Sequence, residues 1–168
     1  MIKYIVSDFI RKERTLRPEN IMGIRIAIGS DHAGYALKCE VVNYLKEKGA
    51  ELLEMGCMDG SSCDYPVVAK EVCEKVTDGT VEKAILICGT GIGISMAANK
   101  VKGIRAALCT DAYTAKYTRL HNDANVLCMG GRVTGAGVAL EMVDVFLETE
   151  FEGGRHQRRV DLISEIEK

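Results

Sequence analysis

The sequence has no tryptophan, three phenylalanines, six tyrosines and two prolines. So few flat rings leave no stacking platform for nucleobases. Formal net charge is −2 over 168 residues, so the molecule as a whole is not built to hold a polyanion, and any anion site must be local. No apolar run approaches the roughly 18 residues that span a membrane. Met1 to Asn20 carries Arg11-Lys12-Glu13-Arg14 and Arg17-Pro18 but no apolar stretch of the kind a secretory signal needs. Seven cysteines, at 39, 57, 63, 73, 88, 109 and 128, are odd in number and include no Cys-x-x-Cys pair. His32, His121 and His156 lie far apart, without His-x-x-x-His spacing. A disulfide framework or zinc site is therefore disfavoured, and a reducing, cytoplasmic compartment is expected.

What is present begins after Met22. Residues 1–21 read as an extension, a dispensable tail or the product of an upstream start, and residues 22–168 as a single domain. Gly23 to Ser30 alternates Ile24, Ile26 and Ile28, a first strand. Leu37, Val41, Tyr44 and Leu45 recur at helical spacing up to a stop at Gly49. Glu51 to Met55 is a short strand, and Asp64-Tyr65-Pro66 opens a second helix, with Pro66 where a missing N–H costs nothing. Further strands are expected at Lys83 to Ile87, Ile104 to Cys109 and Asn125 to Met129. Helices are expected from Ile94 to Lys100, from Asp111 as N-cap to Leu120, after Thr134 as cap, and from Arg155 to Glu167. This alternation predicts a three-layer α/β/α sandwich, a five-stranded parallel sheet, Rossmann-like and doubly wound. Ligands in such sheets bind at the carboxyl ends of the strands. That edge collects Asp31-His32, Tyr65, Cys88 to Gly93, Asp111 and Arg132.

The chemistry centres on Cys88-Gly89-Thr90-Gly91-Ile92-Gly93, a thiol at a strand end followed by a glycine loop and a helix start. Three alternate glycines let backbone N–H groups approach a negative oxygen closely. A helix N-terminus contributes about 1–2 kcal/mol to a negative charge in partly buried geometry, which favours the anionic form of the sulfur. Thiolate plus anion cradle is what proton abstraction next to a carbonyl requires. The loop is not a dinucleotide fingerprint, because Ile94 stands where the third glycine belongs, and the same residue rules out the Cys-x5-Arg loop of a cysteine phosphatase.

Other candidates carry two readings each. His121-Asn122-Asp123 suits a helix C-cap, where histidine is favourable and asparagine tolerates a left-handed turn, as well as it suits a site. Arg155 and Arg159 are four apart and share a helix face, as a phosphate clamp needs, or they pair with Asp161 and Glu165 in solvent. Asp31-His32 fits a helix cap and Tyr65 fits a core position equally well.

Gly29-Ser30-Asp31-His32-Ala33-Gly34, Asp64-Tyr65-Pro66, Ile87-Cys88-Gly89-Thr90-Gly91-Ile92-Gly93, His121-Asn122-Asp123-Ala124-Asn125 and Gly153-Gly154-Arg155-His156-Gln157-Arg158-Arg159-Val160 occur in this order. Together they resemble ribose-5-phosphate isomerase type B, whose wider family includes galactose-6-phosphate isomerase subunits and allose-6-phosphate isomerases. The resemblance implies an aldose–ketose isomerase of the pentose phosphate pathway that needs no metal and no organic cofactor. It implies Cys88 as the base between C1 and C2, in place of a glutamate later in the loop, where Ile94 and Ser95 stand. Backbone N–H groups of Gly89, Gly91, Ile92 and Gly93 would hold the enediolate oxygen, with Thr90 hydrogen-bonding the reacting end or the thiolate. His121 would open the furanose ring, Asn122 would hold a hydroxyl, and Asp31, His32 and Tyr65 would touch sugar or phosphate. Arg132, Arg155 and Arg159 would hold the phosphate. The site would lie between two subunits of a homodimer or tetramer. A six-carbon sugar phosphate as substrate, and a non-catalytic sugar-phosphate-binding module, are the alternatives.

Overall fold

A computed structural model describes residues 21–167. The expectation for residues 1–20 lies outside the described residues. Five strands form one sheet: β1 (Arg25–Ser30), β2 (Glu51–Gly56), β3 (Lys83–Cys88), β4 (Ala106–Leu108) and β5 (Val126–Gly130). All pairings are parallel and the order is β2-β1-β3-β5-β4. The helices are α1 (Tyr35–Glu47), α2 (Tyr65–Thr77), α3 (Ile92–Ala98), α4 (Ala112–Asn122), α5 (Ala136–Glu148) and α6 (Arg155–Glu165). Among the described residues no helix is long and apolar enough to cross a membrane.

Strand side chains alternate between two cores, as the period of two requires. Ile26, Ile28, Ile85, Ile87, Leu127 and Met129 pack with α1 and α5 on one face. Ala27, Ala84, Leu86, Cys88, Val126 and Cys128 pack with α2 and α3 on the other. The three central strands are therefore apolar on both faces apart from Arg25, Ser30 and Lys83 at their ends, and both faces of the sheet are covered. Ile21, counted with the extension in the sequence reading, is fully buried in the first of these cores.

Several local expectations hold because the terminating chemistry is explicit. After α1, Gly49 takes φ +79° and its N–H donates to Lys46 O while that of Ala50 donates to Leu45 O, a Schellman closure. Asp111 caps α4 by accepting the N–H of Thr114 at 2.8 Å. Three expectations shift. The helix expected from Ile94 starts at Ile92, because Gly91 at φ +78° already turns the chain. The helix expected to be capped by Thr134 starts at Ala136 without a side-chain cap, and the Thr134 N–H instead closes a turn on Gly130 O at 2.8 Å. The fourth strand shortens to Ala106–Leu108 at the open edge, where one neighbour is missing.

Candidate active site

The sheet reverses its winding direction between β1 and β3, and their carboxyl ends frame a crevice. Cys88 closes β3 and is 4 % exposed. Its Sγ accepts the N–H of Gly91 at 3.1 Å. Only glycine fits at 91: a Cβ there would stand 2.4 Å from Leu108 Cδ1 and 2.8 Å from the carbonyl carbon of Met129. The loop thus aims a backbone donor at the sulfur. The Ile92 N–H, in turn, reaches Thr90 Oγ1 at 3.3 Å. The Gly91 and Ile92 amides therefore have partners within the chain, which narrows the expected oxyanion cradle to the other amides of the run.

The neighbours of this loop are those the sequence placed at the same edge. Gly89 faces Ala33 and the Arg132 side chain, and the Arg132 N–H donates to Gly89 O at 3.0 Å. Gly93 lies under Tyr65, whose Cζ and hydroxyl a Cβ there would approach to 2.7 and 3.0 Å. Asp31 is buried, its N–H bonded to Ile87 O at 3.2 Å and its Oδ1 accepting the Gly34 N–H at 2.9 Å. One carboxylate oxygen is thereby committed to the turn before α1, and exposed His32 rides on that turn. Other cysteines are packing residues: burial pushes the Cys73 thiol up to about 12 and that of Cys109 up to about 11.

The remaining candidates lie elsewhere. The eleven residues of α4 run from Ala112, beside the carboxyl edge, back past the other edge of the sheet, about 15 Å away. His121 and Asn122 occupy its last turn, and Asp123, not the asparagine, takes the left-handed turn at φ 47°. Asp123 is held there by Arg119 and Arg105, each 2.8 Å from one of its oxygens. The His121 ring stacks on that of buried His156, centroids 4.1 Å apart. Burial, aided by His121 and Arg155, holds the His156 imidazole below its ordinary pKa. Arg155, Arg158, Arg159 and Leu162 line a cavity of about 210 Å³. Asn122 lines a different cavity, of about 220 Å³, with Asn99, Arg105 and Thr118.

Within one chain the candidates therefore fall into two groups, which would be the half-sites of the expected shared site. Asp31, His32, Tyr65, Cys88 to Gly93 and Arg132 gather at the carboxyl edge. His121, Arg155 and Arg159 gather at the far end of α4. The three arginines expected to hold one phosphate do not converge within the chain.

A family model described as Ribose/Galactose Isomerase matches residues 26–163. The chain belongs to this family. Among its members, ribose-5-phosphate isomerase B of Escherichia coli is 49% identical over 144 residues, covering 86% of this chain and 97% of that one. Galactose-6-phosphate isomerase subunit LacB of Clostridium acetobutylicum is 42% identical over 135 residues, covering 80% of this chain and 78% of the other. The solved structure of Clostridium thermocellum ribose-5-phosphate isomerase B superposes with a TM-score of 0.85 at 52% identity, covering 86% of this chain and 97% of that one.

Two residues in this member of the isomerase family went unassigned in the sequence reading. Arg158 lines the arginine cavity, although a four-residue face selects Arg155 and Arg159. Glu152 stands 3.7 Å from His121 and 3.6 Å from His156. Glu152 lies in the loop before α6, outside any helical face, so no spacing in the sequence marks it.

Proposed function

We propose that the chain interconverts ribose 5-phosphate and ribulose 5-phosphate through an enediolate. The observation that carries this reading is the Cys88 sulfur at the switch point of the sheet, with the Gly91 N–H on it, in a chain 49% identical to ribose-5-phosphate isomerase B. Cys88 as thiolate takes the proton from C2 of the open-chain aldose. Charge passes to the C1 oxygen beside the glycine loop, the C2 hydroxyl proton moves to that oxygen, and the thiol returns its proton to C1. Base and oxyanion donors of this kind are each worth about 10²-fold or more. His121 opens the furanose ring, and Arg155 and Arg159 hold the ester, with Arg132, Asp31, His32 and Tyr65 on the sugar side. Asn122 binds a sugar hydroxyl, and Thr90 attends the reacting end.

This mechanism needs the two half-sites brought together, and a second copy of the chain does that. Around the glycine loop Ile92, Met96, Tyr65, Leu108 and Tyr113 are exposed, an apolar rim suited to a partner subunit. We read the protein as a homodimer, or a tetramer of such pairs, whose two sites each take Cys88 from one subunit and His121 from the other. A catalytic thiol among seven free cysteines fits a reducing compartment, the cytoplasm.

The test is interconversion by purified protein, with and without chelator, in competition among ribose, allose and galactose 6- or 5-phosphates at equal concentration. Preference for ribose 5-phosphate by kcat/KM, unaffected by chelator, is expected. Preference for a six-carbon phosphate would move the assignment toward the LacB side of the family, and binding without proton exchange from C2 would make the protein a binding module.

A further inference from the structure

Glu152 has no part in the mechanism above, yet its carboxylate sits between two imidazoles. Oε2 lies 3.7 Å from Nε2 of His121 and 3.6 Å from Nε2 of His156. The rings are stacked with their planes within 5°. Tyr117 meets His121 edge-on, with centroids 5.0 Å apart, so the ring is held on two sides. The Glu152 N–H donates to Leu120 O at 3.1 Å, fastening this loop to the residue just before His121.

The hydrogen-bond inventory decides which imidazole the carboxylate serves. Arg155 Nε–H donates to His156 Nε2 at 3.3 Å. That nitrogen is therefore an acceptor and has no proton to offer. Burial, with His121 and Arg155 adding to it, lowers the His156 pKa and so disfavours its charged form, in agreement. An ionised carboxylate can only accept. Of the two facing nitrogens, only Nε2–H of His121 can supply its donor. The separation is a few tenths of an ångström beyond hydrogen-bond length, which a small rotation of an exposed glutamate closes. The same three side chains have the composition of a metal-binding set. However, Arg155, Arg158 and Arg159 alongside make the local field one for anions.

We propose that Glu152 is the positioning residue for His121, accepting its Nε2–H and so presenting Nδ1 to the sugar. The inference rests on the isomerase reading and on His121 as the ring-opening group. It adds a division of labour: Glu152 sets the tautomer of His121, while His156 accepts from Arg155 and steadies that arginine for the phosphate.

The test compares wild type, Glu152→Ala and Glu152→Gln by the imidazole ¹⁵N shifts of His121 and by saturating rates in both directions. Ribulose 5-phosphate is phosphorylated at the hydroxyl that would close a five-membered ring, so exchange of its C1 hydrogen with solvent needs only enediolate formation and no ring step. In Glu152→Ala isomerisation should fall about tenfold in both directions, as the fixed equilibrium constant requires, with KM and the C1 exchange rate within about twofold. The His121 shifts should leave the Nε2-protonated pattern. Glu152→Gln keeps an acceptor and should recover most of both. Unchanged His121 shifts in Glu152→Ala, or a fall in the C1 exchange rate equal to that in isomerisation, would overturn the proposal. A wild type that turns over neither sugar would sink the isomerase reading, and the nitrogen shifts would still decide the role of Glu152.

Discussion

The two half-sites are built by different means. Around Cys88 the geometry is set by backbone: a strand end, a left-handed glycine, an amide on the sulfur and four side chains packed against the loop. Around His121 it is set by side chains on helix ends, a ring stack, a carboxylate and arginines, much of it open to solvent. On the proposed reading, the base that must meet one carbon is held by groups that cannot rotate, while the groups that would grip a charged ester sit on long, solvated side chains that a second copy of the chain would complete.

The largest test of that contrast is Cys88→Ala. The substitution removes only a sulfur from a buried position, so the thermal transition should stay cooperative while isomerisation falls at least 100-fold. A folded variant with near wild-type turnover would take the sulfur out of the chemistry. Next in size is mixing Cys88→Ala with His121→Ala, each inactive alone. If every site draws on two subunits, random reassociation of pairs leaves about a quarter of the sites intact. Activity recovered on mixing and refolding, in that range, is the expected outcome. None recovered would mean that one chain carries both groups of its own site.

Glycine replacements sharpen the comparison further. Gly91→Ala forces a left-handed alanine and drives its Cβ onto Leu108 and the Met129 backbone, so a loss on the order of 2–4 kcal/mol in urea unfolding is expected. Gly153, in the loop before α6, has φ +67° but nothing within 4 Å of its would-be Cβ. Gly153→Ala should cost only about 1 kcal/mol, the backbone term alone. Equal losses at the two positions would mean that the Cys88 loop is no more tightly specified than the far cluster.

This contrast also explains what could be read from the sequence. Short apolar runs along Ile26 to Ile28, Ile85 to Ile87 and Val126 to Met129 announce strands, and Gly49, Pro66 and Asp111 mark helix ends by chemistry confined to a few residues. The Cys88 loop was legible because its backbone geometry is written in three alternate glycines. The exchange that puts β5 inside β4 was not legible, because edge position is decided by pairing across the whole sheet. Nor was the distance of His121 from Cys88, which depends on α4 running two residues beyond Leu120 and on the direction it takes. Glu152 escaped notice for the same reason: its partners come from two helices, and only the ring stack brings them together.

A pH-dependent effect also lies on the side-chain-built half. Lys83 opens β3, and its Nζ donates to Leu147 O at 3.0 Å, at the end of α5 that leads toward Glu152. Burial, with Arg119 adding to it, lowers its pKa to about 8, against the pull of Glu82, Asp123 and Glu150. An unfolded lysine titrates near 10.4. Below pH 8 both states hold the proton, and the fold bears the cost of a poorly hydrated ammonium. Between about pH 8 and 10 the unfolded chain binds more protons than the folded one, so this group makes stability rise with pH across that window. The gain should be on the order of 2 kcal/mol. Because tyrosines and exposed thiols titrate in the same range, the informative quantity is the difference between wild type and Lys83→Met in urea midpoints from neutral to alkaline pH. The wild type should gain on the variant as pH rises. Parallel curves would mean that the Lys83 ammonium is as well solvated in the fold as in the open chain, and that this edge of the sheet is looser than its packing implies.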